Sequence, residues 1–125
     1  MSYSGPEFAY IQNVSNGEYL EHHATKMASS YSTPSTLWRI MQNSSGSYFI
    51  QNQDNAEYLT SSASQMSSSA GDDQKFNFVP ISGSKYYIQN VSNSEYLTSS
   101  ATKMSKTAGS SEEFTVAEPP IPFND

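Results

Sequence analysis

The 125-residue chain has no cysteine, which excludes disulfides and thiolate chemistry and suits a reducing compartment. Positive charge is scarce: six Lys and Arg stand against twelve Asp and Glu, a formal charge of −6. Nucleic-acid binding draws much of its affinity from neutralised phosphates, so no nucleic-acid partner is expected, and anionic membranes are disfavoured on the same ground. No apolar run approaches the ~20 residues of a membrane-spanning helix, so no membrane insertion is expected. Met1-Ser2-Tyr3-Ser4-Gly5-Pro6-Glu7 has neither the basic start nor the apolar stretch of a secretory signal. The expected location is cytoplasmic, although a mature chain with its signal removed would look similar. Hydrophobic residues are also few, at 35 %, a composition that can mean disorder. Nine Tyr, six Phe and one Trp at recurring positions argue instead for a folded chain.

What the chain has is one segment three times over. Tyr10-Ile11-Gln12-Asn13-Val14-Ser15-Asn16-Gly17-Glu18-Tyr19-Leu20 returns as Phe49-Ile50-Gln51-Asn52-Gln53-Asp54-Asn55-Ala56-Glu57-Tyr58-Leu59, and again as Tyr87-Ile88-Gln89-Asn90-Val91-Ser92-Asn93-Ser94-Glu95-Tyr96-Leu97. The spacing is 39 residues from Ile11 to Ile50 and 38 from Ile50 to Ile88, a period that marks a structure assembled from repeated units. Units of that size cannot bury enough apolar area singly, so they must share one core.

Phe8 to Asn13 reads as a strand by its aromatic and β-branched content. Ser15-Asn16-Gly17 supplies a turn and Glu18 to Leu20 a second strand. Asn55-Ala56 and Asn93-Ser94 replace Asn-Gly in the later copies, which points to a loop longer than two residues. A weaker third element carries Met27, Met66 and Met104 at the same offset, as gap-filling core residues. A fourth strand holds Leu37 to Ile40, Phe76 to Val79 and Phe114 to Val116. Trp38, Phe76 and Phe114 recur every 38 residues, one large ring per unit. Residues 1–7 read as a flexible lead, and Pro119-Pro120-Ile121-Pro122 stops any further strand. Helical periodicity is nowhere sustained.

Three four-stranded units are too few for a propeller, and a linear solenoid would want atypical capping repeats. Closure around a pseudo-threefold axis removes the exposed edges. The expected fold is therefore all-β: a β-trefoil spanning residues 1–125 as a single domain, with repeats at about 8–46, 47–84 and 85–118 and a Pro-rich tail, 119–125.

With its Tyr-Ile-Gln-Asn…Glu-Tyr-Leu blocks, and with Asp73-Gln74-Lys75-Phe76 echoing a Gln-x-Trp motif, the chain resembles the small cysteine-free fungal type of ricin-B-like (R-type) β-trefoil lectins from about Phe8 to Val116. The resemblance implies a sugar pocket made by an acid after the second strand, an aromatic platform near the third, and a polar pair before the closing aromatic. Carried over by position, the acid falls on Glu21, with Thr60 and Thr98 in its place in the other units. The polar pair falls on Ser35 and Thr36, on Asp73 and Gln74, and on Ser111 and Glu112. Tyr31, in the longer first-unit loop, is the available platform. Galactose or N-acetylgalactosamine is the ligand the resemblance implies.

Each feature also has a plainer reading. The amides Gln12/Gln51/Gln89 and Asn13/Asn52/Asn90 suit sugar hydroxyls, which need donors and acceptors together, but an Asn also bonds its own turn. Glu21-His22-His23 stands where the other units have Thr60-Ser61-Ser62 and Thr98-Ser99-Ser100, and is either one wall of a specialised sugar site or a solvated loop. A zinc site normally needs three or four ligands, and the chain has two His and no Cys, so no metal or other cofactor is expected. Nothing resembles a nucleophile elbow, so no enzyme is expected. Asn13-Val14-Ser15, Asn43-Ser44-Ser45 and Asn90-Val91-Ser92 match glycosylation acceptors, as chance allows in so Asn- and Ser-rich a chain.

The expected function is a non-catalytic, multivalent lectin with up to three related sugar sites, binding glycans of glycoproteins or glycolipids in a defensive role. Several shallow sites on one rigid body would raise avidity. The candidate ligand residues are Glu21, His22, His23, Tyr31, Thr60, Asp73, Gln74, Thr98, Ser111 and Glu112. The alternative is a β-trefoil protease inhibitor acting through the unique Tyr31-Ser32-Thr33-Pro34-Ser35 loop; an actin-bundling trefoil is a fainter third. Ile121 and Phe123 in the tail have two destinations open: a neighbouring chain, giving a homodimer, or the chain's own barrel mouth.

Overall fold

The computed structural model describes residues 3–22, 27–32, 34–62, 66–100 and 103–119. Strand β1 (Phe8–Asn13) begins the first unit, followed by β2 (Tyr19–Leu20), β3 (Met27–Ala28) and β4 (Trp38–Gln42). The second unit holds β5 (Tyr48–Asn52), β6 (Tyr58–Leu59), β7 (Met66–Ser67) and β8 (Phe76–Ser82). The third holds β9 (Lys85–Asn90), β10 (Tyr96–Leu97), β11 (Met104–Ser105) and β12 (Glu113–Ala117).

The first and last strands of each unit build a closed ring. Within units, Ala9 faces Trp38, Tyr48 faces Phe76 and Tyr86 faces Phe114. Between units, the ladders run from Trp38↔Asn52 to Gln42↔Tyr48, from Phe76↔Asn90 to Ser82↔Lys85, and from Asn13↔Phe114 to Tyr10↔Ala117. All are antiparallel, so the ring β1-β4-β5-β8-β9-β12 has no free edge. The hairpins β2–β3, β6–β7 and β10–β11 hang from β1, β5 and β9 and form the cap.

Alternation along each strand sorts its side chains. Ile11, Ile50 and Ile88 point inward, as do Trp38, Phe76 and Phe114, and all six are fully buried. Leu20, Leu59 and Leu97 close the core at the cap end, with Met27, Met66 and Met104 packed against it. Trp38 carries a polar handle that the two Phe lack, and its Nε1–H donates to the Leu20 carbonyl at 3.0 Å.

The opposite end breaks the symmetry. Tyr48 and Tyr86 occupy matching positions on β5 and β9, but β1 offers only Ala9 there. The vacancy is filled from the N-terminal segment. The Tyr3 ring lies 4.7 Å from Phe78, 5.3 Å from Tyr86 and 5.9 Å from Tyr48 by centroids, and its backbone N–H donates to the Tyr48 hydroxyl at 3.0 Å. The Tyr3 hydroxyl donates to the Pro6 carbonyl, the Ile40 N–H donates to the Glu7 carbonyl, and Glu7 pairs with Arg39. The segment from Tyr3 to Glu7, expected as a flexible lead, is thus a plug in the barrel mouth. Tyr3 belongs to no repeat, so the periodicity gave no warning of it.

Among the described residues there is no α-helix. Two 3-10 turns absent from the sequence reading, Asp72–Gln74 and Ser110–Glu112, precede β8 and β12. His23 and residues 120–125, including Ile121 and Phe123, lie outside the described residues.

Candidate functional site

The repeated amides serve the scaffold. Asn13, Asn52 and Asn90 are fully buried. Their Nδ2 groups donate across unit boundaries to the carbonyls of Ser111, Ser35 and Asp73 at 2.9 to 3.0 Å. Their Oδ1 atoms accept the N–H of Ser15, Asp54 and Ser92, fixing the turn that follows. Gln12, Gln51 and Gln89 donate to the carbonyls of Gly17, Ala56 and Ser94 in the same turns. The plainer reading therefore holds for the Asn set, each of which bonds its own turn. Asn13 and Asn90, the heads of two glycosylation motifs, are enclosed in the fold.

A second set of Asn ties the units together at the cap. Asn16 donates to the Ser99 carbonyl, Asn55 to that of His22 and Asn93 to that of Ser61, at 3.0 to 3.2 Å. The loop after each second strand, where the ligand acid was expected, is thus held by the turn of the next unit. At one boundary the tie is doubled: His22 Nε2 lies 3.0 Å from Asp54 Oδ2. Ser61 and Ser99 stand in the place of His22, and Ser92 and Ser15 in that of Asp54.

The expected ligand residues divide by what their polar atoms do. Thr60 and Thr98 bond within their own loops: Thr60 Oγ1 accepts the Ser62 N–H and donates to the Ser62 carbonyl, and Thr98 makes the same pair of bonds with Ser100. Gln74 and Glu112 are buried, and each accepts a glycine N–H through Oε1, from Gly71 at 2.6 Å and Gly109 at 2.7 Å. Thr36, their counterpart, accepts the Ser32 N–H and donates to the Ser32 carbonyl. Ser111 donates to Glu112 Oε2 at 2.6 Å. These residues brace the loop before each closing strand. Asp73 is exposed, and Glu21 and Tyr31 are half-buried, as are His22, Thr60, Thr98 and Ser111.

The structure adds aromatic residues not singled out as ligands. On the outward side of each unit the first and second strands place two rings in edge-to-face contact. These are Tyr10–Tyr19 at 5.4 Å, Phe49–Tyr58 at 6.0 Å and Tyr87–Tyr96 at 6.0 Å. The signal was present, since each outward ring precedes a buried Ile or Leu in every copy. In the first unit Tyr31 joins the pair, its centroid 6.1 Å from both Tyr10 and Tyr19. Burial, with the Tyr19 phenol nearby, raises the Tyr10 pKa. The first unit thus presents three packed phenols, with Glu21 two residues beyond Tyr19, a surface able to stack on an apolar ring face and bond to hydroxyls. Among the described residues no group of three or more His, Asp or Glu could hold a metal ion, and no helix is long and apolar enough to cross a membrane. Two shallow hollows lie away from this face, beside the plug, lined in part by Gly5, Tyr86 and Val116 and by Tyr3, Arg39 and Tyr48.

No protein-family model and no curated protein sequence matches the chain. Solved structures do. SeviL bound to the asialo-GM1 saccharide superposes with a TM-score of 0.77 at 17 % identity, over 90 % of this chain and 97 % of that one. The designed threefold-symmetric protein ThreeFoil gives 0.76 at 15 % identity, over 91 % of this chain and all of that one. At these identities the likeness establishes the fold, a β-trefoil, as the closed ring and three hairpins require. Neither neighbour is described as an enzyme.

Proposed function

We propose that the chain is a non-catalytic carbohydrate-binding protein of ricin-B-like type, reading galactose- or N-acetylgalactosamine-type glycans on the outer faces of its units. The observation that carries this reading is the outward cluster Tyr10–Tyr19–Tyr31, with Glu21 two residues beyond Tyr19 in the chain. SeviL, of the same fold, is bound to a saccharide, which supports it. A pyranose offers a C–H face to stack on a phenol and equatorial hydroxyls to bond to a carboxylate, the chemistry gathered on this face. A net charge of −6 favours neutral over sialylated glycans. The related ring pairs Phe49–Tyr58 and Tyr87–Tyr96 on the same rigid ring would add avidity on a dense glycan surface, consistent with a defensive role.

A glycan array with the folded protein tests the reading. Signal on terminal galactose or N-acetylgalactosamine is expected, and silence across a broad saccharide set overturns it. A protease panel run alongside addresses the alternative. That alternative rests on the first-unit loop, of which Thr33 lies outside the described residues, Thr36 clasps Ser32, and Ser32 and Pro34 are exposed.

A further inference from the structure

The three units agree in amide network and turn and, apart from Trp38 and the Ala9 gap filled by Tyr3, in core, so further departures from the threefold pattern stand out. Three of them fall in the first unit or at its boundary with the second. Tyr31 lies four residues past Met27, where the other units carry Ala70 after Met66 and Ala108 after Met104. Glu21 stands where the others have Thr60 and Thr98, whose hydroxyls bond within their own loops. The next residue, His22, is clasped by Asp54 of the second unit, whereas the other boundaries have serine at both positions. Tyr31 packs on Tyr19, and Tyr19 leads through Leu20 into Glu21 and His22. None of these substitutions is needed by the scaffold, because two units fold the same way without them. They add a ring, a carboxylate and a second clamp on the loop that bears the carboxylate.

We infer that the first unit holds the one complete glycan site of the chain, with Tyr31 as its stacking platform and Asp54 of the neighbouring unit as a positioning residue that fixes the Glu21–His22 loop. The inference rests on the glycan-binding reading and sharpens it. Each chain then takes one neutral terminal pyranose with useful affinity, and the faces at Phe49–Tyr58 and Tyr87–Tyr96 contribute weakly. Cross-linking of glycan-coated particles accordingly requires two chains.

The test is calorimetric titration of the full chain with lactose and with methyl N-acetylgalactosaminide. Wild type should bind close to one equivalent. Tyr31→Ala should lose about tenfold or more in affinity, the equivalent of ~1.4 kcal/mol. Tyr31→Phe, which keeps the ring, should retain most of it, and near-ultraviolet circular dichroism verifies that both variants are folded. Asp54→Ala should weaken binding while Ser92→Ala, its counterpart at the next boundary, leaves it unchanged. Three equivalents of equal affinity, or a folded Tyr31→Ala that binds as wild type does, would overturn the single-site inference and leave the glycan reading standing. A wild type silent toward both titrants and toward a glycan array would overturn the glycan reading, and the inference with it.

Discussion

At the scale of single residues, the same backbone geometry is occupied by different side chains at different cost. The residue before each repeated Glu (Glu18, Glu57, Glu95) has a left-handed backbone: Gly17 at φ 72°, Ala56 at 63° and Ser94 at 61°. Gly17 has open space around its Cα, so the disadvantage of Ala and Ser at this position is backbone strain rather than crowding. Ala56→Gly and Ser94→Gly should each stabilise the fold by about 0.5–1 kcal/mol, seen as a raised urea midpoint with unchanged slope. Tyr3 supplies a second prediction. Burial, reinforced by the Tyr86 and Tyr48 phenols, pushes its pKa well above the usual tyrosine value of 10.0. The folded chain therefore holds a proton that the unfolded chain releases. The corresponding stability is intact below pH 10 and is lost as pH rises beyond it. Urea titrations at pH 8 and 11 should show wild type losing more stability than Tyr3→Phe; equal losses would remove Tyr3 as the cause.

At the scale of elements, the seams between units matter most. Asn52 is fully buried and joins its own turn to the Ser35 carbonyl of the preceding unit, while Asn55 makes an exposed tie to the His22 carbonyl. Removing buried partners leaves the Asp54 N–H and the Ser35 carbonyl unsatisfied, whereas water replaces an exposed tie. Asn52→Ala should cost about 2 kcal/mol or more and Asn55→Ala less than about 1, measured by chemical denaturation. Sequence periodicity made the strands legible, because alternation of Tyr10, Ile11, Gln12 and Asn13 dictates which face each residue takes. It also made the loop between first and second strands legible, through the Ala56 and Ser94 replacements. It gave no direction for the polar atoms. Gln74 and Glu112 look like ligands in a string of letters, and only the fold of the Gly71 and Gly109 loops turns them inward. Tyr10 and Tyr19 were visible as repeated letters, but their contact with Tyr31 depends on a loop that adds one residue between Met27 and Trp38.

At the scale of the whole molecule, stability is a property of the ring. Each unit's last strand finds its long ladder on the next unit's first strand, Trp38↔Asn52 through Gln42↔Tyr48 being one example. A unit taken alone loses that ladder, its share of the Trp38, Phe76 and Phe114 core, and both Asn ties, and a chain of that length buries too little to compensate. A peptide of residues 47–84 should therefore show a disordered far-ultraviolet spectrum as a monomer. A cooperative thermal transition in the isolated peptide would count against the shared core.

The pairing of β1 with β12 carries a consequence for topology. Each seam of the cycle is an adjacent antiparallel ladder, so the position of the chain break is incidental to the architecture. Circular permutants opened in the turn at Gly46 or at Gly83, with the present ends linked, preserve every ladder of the wheel. They would differ chiefly in whether the tether that brings Tyr3 to its cavity still arrives from the right side.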